Sequence, residues 1–148
     1  MLNETEQRFL LREIENLKQR LEKLEIQEKG IVVWKSWTPS SYYGWSALPT
    51  GTYIYCVIGG LLVFAINMTD GDSNSTAAEI ALPLTVKNNN VFGGVCGLAY
   101  DNGVLLTNAA RWYVDNAYSC VVFSKDMGTG TWTASGTKRI RCIGFAEV

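Results

Sequence analysis

The sequence predicts an N-terminal α-helical coiled coil followed by an all-β domain of antiparallel β-sandwich type. Three observations predict it. The charges are unevenly shared: of 13 Lys+Arg and 14 Asp+Glu, thirteen fall within residues 1–29, a stretch with no Gly, Pro or Cys and one aromatic, Phe9. All 14 Gly, all 4 Cys and every Trp and Tyr fall after it. Apolar periodicity changes at the same point, from about 3.5 residues to short alternating runs punctuated by turn residues. A boundary at Lys29–Gly30 therefore divides the 148 residues into a neck, 1–29, and a head, 30–148.

The neck opens with Asn3 and Glu6 at capping-box spacing. Leu10, Ile14, Leu17, Leu21 and Leu24 follow at spacings of 4, 3, 4 and 3, a d–a–d–a–d seam that imposes left-handed supercoiling. Glu13 and Lys18, like Arg20 and Glu25, occupy g and e positions that are complementary between helices only when those helices are parallel. An amphipathic helix packed on its own domain is the competing use of this seam, but the apolar stripe is narrow and the outer faces are nearly all charged.

In the head, Ile31–Trp37 is rich in β-branched and aromatic residues and ends at the turn cluster Thr38–Ser41. Tyr53–Ile58, Gly59-Gly60 and Leu61–Thr69 predict a tight hairpin, its glycines supplying positive φ. Asp70–Thr76 is a polar loop. Ala77–Leu84 is a strand with Pro83 at an edge or end, and Asn88–Asn90 is a turn. Val91–Tyr100 and Val104–Ala109 form a second hairpin around Asp101-Asn102-Gly103. Ala117–Lys125 and Lys138–Glu147 are the last strands, separated by the Gly/Thr-rich loop Met127–Thr137. About eight short strands at this spacing are the signature of a sandwich.

The first hairpin is apolar on both faces. Alternation leaves Tyr53, Tyr55 and Val57 on one side and Ile54, Cys56 and Ile58 on the other, where a half-solvated sheet would show polar residues. Such strands need covering twice, and a subunit interface is the economical cover. Tyr53–Ile66 carries no charge, yet it is too short to span a membrane and turns at Gly59-Gly60. No basic start and apolar run mark a signal peptide, so a soluble protein without membrane insertion is expected.

Several chemistries are excluded by composition. With His 0, the usual general base and the usual metal ligand are missing. The net charge of −1 gives no footprint for nucleic acid. Cys56, Cys96, Cys120 and Cys142 have no C-x-x-C spacing, so neither a metal nor a cofactor is expected, and buried thiols are favoured over disulfides. Asp70-Gly-Asp72-Ser-Asn74 fails as a calcium loop, having Ser75 at position six and Ala81 at position twelve. No Gly-x-Ser-x-Gly elbow or phosphate loop occurs. Carboxylates could still pair across subunits as in a glycosidase, but no enzyme is expected.

The candidate ligand residues are aromatics in two segments. Trp37, Tyr42, Tyr43 and Trp45 lie in a Pro/Ser/Gly-rich stretch, and Arg111, Trp112, Tyr113, Asp115 and Asn116 form a second group. Flat rings stack on sugar faces while Arg, Asp and Asn hydrogen-bond hydroxyls, a combination suited to carbohydrate. Core packing is the competing use of the same rings.

Two further patterns carry resemblances. Arg20-Leu21-Glu22-Lys23-Leu24-Glu25 resembles the short trimerisation signature of parallel three-stranded coils. Tyr53 leading to Ile58-Gly-Gly-Leu-Leu-Val63, then Ile80-Ala-Leu82-Pro83-Leu84, then Gly93-Gly-Val-Cys-Gly97, resembles the C-terminal heads of bacteriophage tail fibres over roughly residues 40–148. The resemblance implies a trimeric jelly-roll head, similar to tumour-necrosis-factor-like knobs, on a coiled-coil neck. It would be a virion component at a fibre tip, with other tail proteins and a host cell-surface glycan or protein as partners. The sequence departs from a full fibre in having no long shaft or virion-attachment domain. The alternative role is a structural trimerisation cap with no ligand of its own.

Overall fold

A computed structural model describes residues 12–20, 32–87, 92–128 and 130–148. The chain divides into two compact units, Met1–Val32 and Val33–Val148. In the first, residues 12–20 are helical and exposed. The seam residues Ile14 and Leu17 are 49% and 57% exposed. Arg20 closes the described helical stretch. Leu10, Leu21, Leu24 and Glu25, and the Lys29–Gly30 boundary, lie outside the described residues.

The second unit is built of antiparallel strands in two sheets. One sheet contains β1 (Lys35–Ser36), β3 (Thr50–Ile58), β4 (Leu61–Asp70), β11 (Arg139–Glu147), β7 (Leu98–Asp101) and β8 (Val104–Leu105), in that spatial order. The other contains β2 (Tyr42–Tyr43), β5 (Glu79–Ala81), β10 (Cys120–Ser124), β9 (Arg111–Asp115) and β6 (Gly93–Val95), again in spatial order. Their inner faces share one core: Leu62, Phe64, Ile66 and Met68 from β4 meet Trp112, Val114, Val121 and Phe123 from β9 and β10. Two antiparallel layers around a common apolar core are consistent with a β-sandwich.

The β3–β4 hairpin turns at the predicted glycines, with β3 starting three residues before the expected Tyr53 and β4 running one residue past Thr69. Gly59 and Gly60 have φ of 56° and 83°, the conformation a two-residue turn needs to follow strand twist. Its inner rows are Tyr53↔Ile66 and Tyr55↔Phe64, continued by Cys142 and Gly144 of β11. Gly144 leaves room for its neighbours: a Cβ there would strike the Phe64 ring and come within 2.9 Å of Trp112.

Several expected elements differ. Val91–Tyr100 is not one strand; β6 pairs with β9 in one sheet and β7 with β11 in the other. The chain changes layer at Cys96–Gly97, where Gly97 N still donates to Arg141 O. Arg111–Asp115, read from sequence only as a candidate ligand segment, is a full strand. Among the described residues of the expected strand Ile31–Trp37, only Lys35 and Ser36 form β1, and β5 stops two residues before Pro83. The Asn88–Asn90 turn lies outside the described residues.

A buried lysine ties the loops at one end. Lys138 is 0% exposed, and its Nζ donates to the carbonyls of Gly44 (3.0 Å), Ser75 (2.6 Å) and Ala77 (3.0 Å). Three charge-assisted hydrogen bonds compensate the ammonium for lost water. Asp101, also buried, pairs with Lys125 at 2.7 Å and accepts hydrogen bonds from Thr133 N and Oγ1. All four cysteines are buried and free.

Candidate functional site

The two sheets present unlike outer faces. In the five-stranded sheet, strand register sets Tyr43, Glu79, Val122, Tyr113 and Gly93 side by side in one cross-strand row. The next rows carry Ser124, Arg111 and Val95 on one side, and Ala81, Cys120 and Asp115 on the other. Alternation along β9 produces this division. Trp112 and Val114 turn into the core while Arg111, Tyr113 and Asp115, all half-buried, face outward.

These side chains interact. The Arg111 guanidinium lies 5.9 Å from the centre of the Tyr113 ring, a cation–π distance. Arg111 Nε is buried without a hydrogen-bond partner among the described residues. Burial pushes the Tyr113 hydroxyl above its ordinary pKa; Glu79 adds to this, Arg111 opposes it, and Asp115 and Cys120 reinforce it. A groove of about 550 Å³ runs beside this ring, lined by Gly93, Gly94, Val95, Arg111, Trp112, Tyr113 and Met127. Side-chain-free glycines in an edge strand open this side of the groove. The arrangement combines an accessible ring, a guanidinium and carboxylates, which suits polyhydroxylated ligands.

The sequence-predicted residues divide unevenly. Tyr43, Arg111, Tyr113 and Asp115 share this face. Asp115 also uses Oδ1 to accept from Ala117 N at 2.9 Å, closing the turn after β9. Trp45 and Trp112 are corrected to core residues at 2% and 3% exposure, although Trp112 contributes to the groove's lining. Trp37 packs edge-on against Tyr53 and Tyr55 and donates its indole N–H to Ala81 O at 3.3 Å. Tyr42 is exposed, but it pairs with Ile80 and so belongs to the opposite alternation from Tyr43. Asn116 Nδ2 donates to Lys87 O in the turn. Glu79, Val122 and the groove residues Gly93 and Met127 were not singled out as ligand contacts. Only pairing between β5, β9 and β10 brings Glu79 and Val122 beside Tyr113.

The six-stranded sheet has a contrasting outer face. Its rows are Ile58↔Leu61, Cys56↔Val63↔Phe145 and Ile54↔Ala65↔Ile143, followed by the polar row Thr52↔Asn67↔Arg141↔Leu98. Ile143 is 70% exposed. Tyr53 and Tyr55 pack on the core and Ile54 lies on the opposite alternation, as expected, but towards the turn the burial departs from the expected faces: Val57 is 48% exposed and Cys56 2%.

Among the described residues there is no cluster of three or more His, Cys, Asp or Glu able to hold a metal, and no helix long and apolar enough to cross a membrane. Comparison with known proteins returned neither a matching family nor a curated relative.

Proposed function

We propose that this chain is a non-enzymatic attachment protein, the trimeric tip of a viral fibre, whose jelly-roll head binds a host-surface glycan through the outer face of the five-stranded sheet. One observation carries the proposal: Tyr43, Glu79, Tyr113, Arg111 and Asp115, drawn from β2, β5 and β9, converge on one face beside an open groove. The tail-fibre resemblance over residues 40–148 and the parallel heptad seam support the same conclusion. Three such sites on one trimer would raise weak individual contacts to useful avidity, because the second and third contacts form at high effective concentration.

A structural cap is the second reading, favoured by the apolar outer face of the six-stranded sheet. Binding of the full chain to intact host cells, and competition by soluble glycans, separates the two. Saturable binding lost in Tyr113→Ala supports attachment. Clean trimer assembly without binding across a broad host panel supports the cap. Turnover of a polysaccharide, abolished by Glu79→Gln or Asp115→Asn, would overturn both.

A further inference from the structure

We infer that the outer face of the six-stranded sheet is covered by a second copy of this chain, leaving the Tyr113 face of the other sheet free for ligand. The inference rests on the homotrimer of the proposed function and adds which surface makes the contact. Three cross-strand rows, from Ile58↔Leu61 to Ile54↔Ala65↔Ile143, are apolar on the outward alternation; Cys56 is already buried, while Ile58, Phe145 and Ile143 are 50%, 43% and 70% exposed. No polar side chain interrupts these rows until Glu147 beside Leu61. A solvated sheet face alternates apolar-in and polar-out, and this one does not.

The border is polar. Thr52, Asn67 and Arg141 form the next row, and Arg139 stacks on Tyr100 with 5.8 Å between guanidinium and ring centre. An apolar centre with an Arg-containing polar rim is the anatomy of a protein interface. Between centre and rim runs a groove of about 570 Å³, lined by Ile54, Ala65, Ile143, Thr52, Asn67 and Arg141 among others. Asn67 Oδ1 is buried there and accepts no hydrogen bond among the described residues. A buried acceptor left unpaired costs stability, so the surface that closes over this groove should bring a donor.

The occupant follows from the same polypeptide. Ile14 and Leu17 form an exposed apolar seam of heptad spacing, whose g and e charges match only in parallel. Parallel association brings identical heads alongside one another, so the copy already tethered is the partner at highest local concentration.

The test is sedimentation equilibrium on full-length proteins. Leu17→Asp, which breaks the seam, should still self-associate through the head. Adding Ile143→Lys should reduce it to the single-chain mass, whereas adding Tyr113→Ala should not. A monomeric Leu17→Asp protein, or a mass unaffected by Ile143→Lys, overturns the inference. Because Ile143→Lys could disturb folding, a second variant reads the same surface. A thiol at this position, Ile143→Cys, should resist maleimide in the concentrated protein and react on dilution; equal rates overturn the inference. Glycan binding measured on the same samples separates the two proposals, since a monomer that still binds glycan removes the interface and keeps the attachment function.

Discussion

The Lys138 ammonium nitrogen lies 5.5 Å from the centre of the Trp45 ring and 6.0 Å from that of Trp132, held by three backbone carbonyls. A charge this deeply buried is tolerable because the three carbonyl acceptors and the two ring faces replace water. Lys138→Met keeps the volume but leaves three carbonyls without their donor. It should destabilise the fold by about 3 kcal/mol, read from urea midpoints. A variant as stable as wild type would mean that other donors satisfy the carbonyls.

The same residue gives a pH dependence above neutrality. Burial pulls the Lys138 ammonium down to about 8, with Asp101 partly opposing it, whereas an unfolded lysine titrates near ~10.4. Between these values the unfolded chain holds the extra proton, so this group's contribution to stability rises with pH. The stability difference between wild type and Lys138→Met should therefore widen from pH 8 to pH 10. A constant difference would show that the ammonium is better solvated than its burial indicates.

At the acid end the relevant group is Asp101. Burial raises its pKa, but the Lys125 ion pair and the two Thr133 hydrogen bonds outweigh this and hold it below the ordinary carboxylate value. Such a depressed carboxylate contributes stability above the unfolded value of ~3.9 and loses it as pH falls through the folded one. Asp101→Asn should cost about 2 kcal/mol at pH 7 and show a flatter melting profile below pH 4. Parallel profiles for the two proteins would exclude the pairing as a source of acid lability.

Ligand binding should be separable from folding. Tyr113 and Arg111 are half-buried on the outer face, so Tyr113→Ala and Arg111→Met should each weaken glycan binding at least tenfold, about 1.4 kcal/mol. Melting temperature should change little, as for other surface substitutions. Asn116→Ala, in the turn, should bind normally. Loss of binding in Asn116→Ala with Tyr113→Ala unaffected would move the site away from β9.

The thiols should be silent in the folded protein. Burial pushes Cys96 up to about 12. It does the same for Cys120, with Glu79 and Asp115 adding to the effect. Cys142 is raised well above its usual value by burial and by neighbouring Cys96, and Cys56 is 2% exposed. A disulfide reagent at pH 8 should label none of the four until denaturant is added. Rapid labelling of the native protein would contradict this burial.

Local signals were legible in the sequence, and long-range ones were not. The β3–β4 hairpin was readable because strand, turn and strand are adjacent and the turn carries its own chemistry in Gly59-Gly60. The apolar outer face was readable from alternation alone. Arg111–Asp115 escaped as a strand because its charged and aromatic outer residues look like a loop. Only partners on both sides, β10 and β6, make it an interior strand. The layer change at Cys96–Gly97 was hidden in a run of glycines and apolar residues that also reads as one continuous strand. Glu79 could not be assigned to the site, because its place opposite Val122 depends on a register set between distant segments.

The position of β11 bears on how the molecule is made. The strand synthesised after every other member of its sheet lies at the sheet's interior, between β4 and β7. While Arg139–Glu147 remains in the ribosome, β4 has an open edge and Phe64 lacks the Gly144 beside which its ring packs. The nascent chain can form its early hairpin but cannot close its core, so native structure should appear only once Arg139–Glu147 has emerged. Premature termination before residue 139 would leave an unpaired apolar edge prone to aggregation rather than a smaller folded head.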